Sequence, residues 1–174
     1  MDEPDFYIEC QPLDHSVPCI GFRFVEKDKR KMDLERVKKL GIPTGPLLGE
    51  LQAGKTITLK GKKISADDVT DIKEGKVVAF VEDTALNSNC VKLAKDADIL
   101  VCEATYADEL EEKAAAYKHL TAKQAAMIAN EANAKKLILT HFSSRYKDVD
   151  QIKEDATGLF NNTLCAFDFM KASL

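Results

Sequence analysis

The chain predicts an α/β domain on a largely parallel sheet, and three observations carry that expectation. Near-continuous apolar runs of strand length recur after residue 75, helix-period segments separate them, and three of the runs end on an acid or a histidine. Before residue 75, "MDLERVKKLGI" reads as a short amphipathic helix, with Met32, Leu34, Val37 and Leu40 apolar and Gly41 as its stop. The stretch from Gly41 to Gly54 that follows contains Pro43 and Pro46 and forbids a continuous helix. "GKVVAFVED" (75–83) is then a strand and "NCVKLAKDA" (89–97) a short helix. "DILVCEATY" (98–106) is a second strand, "TAKQAAMIANEAN" (121–133) a helix capped by Thr121, and "KLILTH" (136–141) a third strand. Strands separated by helices pair in parallel and are expected to be buried on both faces.

Composition narrows the function classes. At 174 residues and 45% hydrophobic content, the chain is long enough for one compact domain and is not a disordered composition. Five scattered cysteines without a CxxC pair predict reduced thiols in a cytoplasmic protein. No apolar run approaches the length of a membrane span, and the acidic start "MDEPDFYIEC" has no signal-peptide character. The net charge of −4 excludes a generic polyanion binder, so any nucleic-acid contact must come from a local basic patch. Lys27, Lys29, Arg30, Lys31, Arg36, Lys38 and Lys39 form one such patch. It reads either as a solvated charged helix or as a protruding arm that grips phosphates.

In an open α/β sheet the functional crevice lies off the carboxyl ends of the strands. The three runs end in Asp83, Glu103 and His141, so these can share one rim. Singly, each has a structural explanation, such as a turn cap or a satisfied histidine. Yet the only three histidines, His15, His119 and His141, all sit in short polar or turn segments beside apolar sequence. Imidazole and carboxylate are the ligands hydrolytic zinc prefers, and a carboxylate can bridge two ions.

Four stretches, "PLDHSVPCIGFRF", "GIPTGPLLGELQAG", "FVEDTALNSNCVKLAKDADILVCEATY" and "HLTAKQAAMIANEANAKKLILTHFSSRY", together resemble the C-terminal part of ribonuclease Z. That family comprises the tRNA 3′-processing endonucleases of the metallo-β-lactamase superfamily. The resemblance implies a single incomplete domain over 1–174, the C-terminal half of an αββα sandwich, with an inserted basic arm at 27–54. A half sandwich would expose its inner face. By the same resemblance His15, Asp83 and His141 match metal ligands, with Asp83 bridging two zinc ions. Glu103 and His119 match the pair that orients groups and moves protons at the scissile phosphate. Lys29, Arg30 and Lys31, with Gly45 and Pro46, fall in the flexible arm that holds tRNA, and Arg145 matches a phosphate contact.

The sequence departs from the family pattern in several places. Its HxHxDH signature is not present, Cys102 stands where many members have His, Leu120 where many have Ser, and Glu82 where glycine is common. His15, Asp83 and His141 alone are too few ligands for two tightly held ions, so zinc is expected at partial occupancy or not at all. The expected function is metal-dependent hydrolysis of precursor tRNA at its 3′ end, weak or lost in the isolated chain. Its partners would be tRNA rather than DNA or membrane, and a homodimer mate or a chain supplying the N-terminal half. The alternatives are a non-catalytic tRNA-binding or dimerisation fragment and a truncated product.

Overall fold

A computed structural model describes residues 1–174. In chain order, β1 (Phe6–Leu13) and β2 (Cys19–Glu26) are followed by β3 (Lys29–Met32), α1 (Leu34–Lys39), α2 (Pro46–Gln52), β4 (Ile57–Leu59), β5 (Lys62–Ile64) and β6 (Thr70–Lys73). Then come β7 (Val77–Val81), α3 (Ser88–Ala94), β8 (Ile99–Glu103), α4 (Glu111–Tyr117), α5 (Ala122–Glu131), β9 (Leu137–Thr140), α6 (Asp150–Thr157) and β10 (Thr163–Cys165). The chain divides into two compact units, Met1–Glu26 with Lys76–Leu174, and Lys27–Gly75.

The larger unit is built on one six-stranded sheet in the order β1-β2-β7-β8-β9-β10. β1, β2 and β7 pair antiparallel, whereas β7, β8, β9 and β10 run parallel. Parallel neighbours need crossovers, and α3, α5 and α6 provide them. Thr121 caps α5 by accepting from the Gln124 amide while the Gln124 side chain accepts from the Thr121 amide, so the helix begins where the sequence places it.

Alternation along the strands sends Ala79, Val81, Leu100, Cys102, Leu137 and Leu139 into the main core, where Leu93, Ile128 and Ile152 of the helices join them. The approach is close at one point. A Cβ on Gly21 would lie 2.4 Å from Leu93 Cδ1 and 2.9 Å from the Phe80 carbonyl oxygen, so only glycine lets α3 settle over β2 and β7.

The opposite face is not covered by helices. Register places Phe22, Phe80, Val101, Ile138 and Leu164 in one row across five strands. Phe22, Phe80 and Leu164 are exposed. With Ile8, Phe24 and Val78, the phenylalanines line an apolar groove of about 470 Å³. The burial on both faces expected from strand composition therefore fails, because that composition is equally suited to packing against a second sheet. The structure leaves this apolar face of the sheet exposed.

In the smaller unit β3 pairs antiparallel with β6, and β4 with β5. Val37, Ile42, Leu51, Ile57, Ile64 and Val69 form its own core. The expected helix starts two residues late, with Met32 ending β3. Asp33 decides this, because its carboxylate accepts from the Glu35 and Arg36 amides at 2.9 and 3.1 Å and so caps α1 at Leu34. Gly41, at φ +65°, ends that turn as predicted, and Pro46 opens α2 behind Gly45. The expected arm, 27–54, lies inside this unit, which extends to Gly75.

Candidate metal centre

The parallel strands β7, β8 and β9 deliver their carboxyl ends to one rim, which brings Asp83, Glu103 and His141 together. Asp83 and His141 are the second and first residues after their strands, and both adopt the left-handed conformation, φ 50° and 57°. Non-glycine residues at such angles carry strain of about 1–3 kcal/mol each. Here the turned backbones let the two side chains meet, and His141 Nε2 lies 3.1 Å from Asp83 Oδ1. His119 precedes α5, its ring 5.3 Å from that of His141 and 5.1 Å from that of His15. One ligand atom from each of Asp83, Glu103, His119 and His141 lies within 4.8 Å of the others. His15 stands beside this group rather than within it.

Glu103 is completely buried and organises the rim. Its Oε1 accepts from the Thr84 amide at 2.6 Å, and its Oε2 from the Thr105 hydroxyl at 2.6 Å and the Leu120 amide at 3.1 Å. His119 Nδ1 donates to the same carboxylate at 3.1 Å. Four donors offset the cost of burying the charge. Because its lone pairs are taken, Glu103 is a poor direct ligand, and its chemistry is to hold other groups.

All three imidazoles are tied at the same nitrogen. His15 Nδ1 donates to the Lys118 carbonyl at 3.1 Å, His119 Nδ1 donates to Glu103, and His141 Nδ1 lies 2.9 Å from Thr105 Oγ1. For His15 and His119 the partner can only accept, which places a proton on Nδ1 and leaves the Nε2 lone pair free for an ion or a proton. Lys118 presents its carbonyl from a left-handed turn, φ 58°, and its ammonium holds Asp14 at 2.8 Å.

The donor set suits a divalent metal. A carboxylate and imidazole nitrogens are borderline ligands of the kind zinc takes, and a 3.1 Å separation fits two ligands lying about 2.0–2.2 Å from one ion. Asp83 and His141 would hold it, with the His15 and His119 rings adjacent. Nearby, Glu82 is pushed up to about 7, chiefly by burial and further by the charges of Glu103 and Asp83. Burial, then the Asp83 charge, raises the Cys19 thiol, and burial raises that of Cys102 well above its ordinary range, so neither is an activated nucleophile. All five cysteines are free thiols.

Arg145 is exposed, and its guanidinium carbon lies 5.3 Å from the centre of the Tyr106 ring, which also has Lys113 Nζ at 5.9 Å and the His119 ring at 6.3 Å. In the smaller unit Arg30 is held by Asp67 at 2.6 Å and by the Thr70 hydroxyl at 2.8 Å, while Lys29 and Lys31 are exposed on β3. Gly45 and Pro46 are exposed at the start of α2. A cavity of about 700 Å³ in this unit is lined by Arg36, Lys39, Lys60, Lys62 and Lys63 around an apolar floor that includes Leu59. Sequence reasoning missed Thr84, Thr105 and the Lys118 carbonyl. The available signal was a threonine within two residues of each strand-end acid, in "EDT" and "CEAT".

No family model matches the chain. Among curated proteins, a ribonuclease Z of Protochlamydia amoebophila is 43% identical over 169 residues, 97% of this chain and 55% of that protein. One from Archaeoglobus fulgidus is 43% identical over 161 residues, 90% of this chain and 53% of its own length. The crystal structure of human tRNase Z, short form, superposes with a TM-score of 0.58 at 26% identity, covering 98% of this chain and 44% of that one. Bacillus subtilis YhfI, a metallo-β-lactamase fold protein, matches in fold alone, with a TM-score of 0.60 at 18% identity over 95% of this chain and 48% of that one. The chain thus shares its fold with about half of a metallo-β-lactamase fold protein and is a homologue of ribonuclease Z over nearly its whole length, spanning about half the length of the curated relatives it matches.

Proposed function

We propose that this chain carries half of the active site of a tRNA 3′-processing endoribonuclease. The observation that supports this most is the convergence of Asp83, Glu103, His119 and His141 on the carboxyl rim, in a chain whose relatives are named ribonuclease Z. In this reading Asp83 and His141, with His15, hold zinc. Zinc ions at such a site supply Lewis acidity that offsets charge developing on the phosphoryl oxygens. His119, pinned at Nδ1 by Glu103, would take up a second proton at Nε2 and, as the imidazolium, give that proton to the departing oxygen of the tRNA body. Arg145, braced on Tyr106, meets a flanking phosphate. The smaller unit holds tRNA through its basic surface, in which the Lys60–Lys63 hairpin and Lys39 join Lys29, Lys31, Gly45 and Pro46.

The remaining ligands of a complete two-ion site, the HxHxDH segment of the family, come from outside these 174 residues. The row Phe22–Phe80–Val101–Ile138–Leu164 is the surface on which the complementary sheet packs. A tRNA-binding role without cleavage is the second reading, and the basic cavity favours it because that cavity needs no metal.

The test is cleavage of a 3′-extended precursor tRNA with zinc or manganese. The chain alone is expected to turn over far below enzymatic rates, and mixing it with a fragment of a ribonuclease Z relative bearing HxHxDH is expected to restore cleavage. Enzymatic turnover by the chain alone refutes the half-site. A stable mixed complex that binds tRNA and never cleaves it favours the second reading.

A further inference from the structure

The Thr105 hydroxyl lies between the Glu103 carboxylate and the His141 imidazole. It is 2.6 Å from Glu103 Oε2, 2.9 Å from His141 Nδ1 and 3.1 Å from the His141 carbonyl oxygen, and the residue is buried. A hydroxyl has one proton to give. The carboxylate oxygen is both the nearest acceptor and the charged one, so that proton goes to Glu103. Toward His141 the hydroxyl can then only accept, which requires a proton on Nδ1. The Nε2 lone pair is left facing Asp83 Oδ1 across 3.1 Å, where two electron-rich atoms repel unless a cation or proton sits between them.

We infer that Thr105 is a positioning residue that sets His141 with Nδ1 protonated and Nε2 outward, and that ties this imidazole to the Glu103–His119 pair. One fully buried carboxylate thereby orients both histidines, His119 directly and His141 through the threonine. The arrangement requires a hydroxyl, not a methyl. Serine can replace the threonine, whereas isosteric valine cannot, since valine leaves Glu103 short of a donor and His141 short of an acceptor. The inference rests on the reading of His141 as a metal ligand for its purpose, but its wiring is measured without metal.

The experiment is long-range ¹H–¹⁵N correlation of the imidazoles in the metal-free full chain, followed by zinc titration calorimetry, for the wild type, Thr105→Ser and Thr105→Val. In the wild type His141 Nδ1 should carry a proton across the pH range, and Thr105→Ser should keep this pattern with zinc affinity within about threefold. Thr105→Val should populate the Nε2-protonated form and weaken zinc by about 10–100-fold, as loss of an outer partner to a metal-binding histidine does. A neutral His141 protonated only at Nε2 in the wild type overturns the inference with no variant needed. So does a Thr105→Ser protein that behaves like Thr105→Val. Zinc binding unchanged by His141→Ala, with the expected tautomer in place, would instead count against the metal-ligand reading.

Discussion

At the residue scale the centre is governed by two carboxylates in different surroundings. Glu103 is buried with four donors around it, so Glu103→Gln replaces an acceptor oxygen with an amide that faces N–H and O–H groups. Destabilisation of roughly 2–3 kcal/mol is expected, read as a lowered urea midpoint. Glu82 has no such partners, and its carboxyl is raised from 4.5 to about 7, first by burial and then by Glu103 and Asp83. Between those values the folded chain keeps a proton that the unfolded chain releases, so stability falls as pH rises from 4.5 toward 7. In chelator-treated protein, Glu82→Gln should melt increasingly above the wild type between pH 5 and 8. Parallel melting profiles would contradict this. Asp83, Glu103 and His141 were legible because strand ends on one rim are a consequence of parallel pairing. The hydroxyl and carbonyl that orient the histidines were not, since a threonine near an acid has many ordinary uses and only coordinates reveal which atoms face each other.

At the scale of elements, helix starts and strand ends follow from short-range chemistry. The Thr121–Gln124 capping box and the Gly41 stop are visible in sequence, and the structure keeps both. The Asp33 cap outcompeted the apolar spacing that had drawn Met32 into the helix, because two satisfied amides outweigh one apolar residue at a frayed end. Where α3 crosses β2, Gly21→Ala should cost about 1–3 kcal/mol in denaturant unfolding, since a backbone carbonyl 2.9 Å from the new methyl cannot move as a side chain can. In the smaller unit, ion pairing redistributes the basic patch. Arg30 and Arg36 bond Asp67 and Asp71, so the cavity lysines are the better candidates for phosphate. Replacing Lys60, Lys62 and Lys63 with alanine should lower the salt slope of tRNA binding by about 2 if all three meet phosphates. An unchanged slope would make them ordinary surface.

At the scale of the whole molecule, a sheet with helices on one face and an apolar row of Phe22, Phe80 and Leu164 on the other is one layer of a two-layer design. Strand composition could not distinguish a missing helix layer from a missing sheet, because both demand the same apolar residues. The resemblance to ribonuclease Z made that distinction, and the fold matches bear it out. The lack of any helix long and apolar enough to cross a membrane fits that architecture without fixing where the protein resides. In the proposed centre Asp83 and His141 grasp a common divalent ion at the carboxyl rim. Zinc titration calorimetry of the full chain, wild type against Asp83→Asn and His141→Ala, tests it most directly. The account predicts weak binding that each substitution lowers by about tenfold or more, whereas identical isotherms for all three proteins would contradict it.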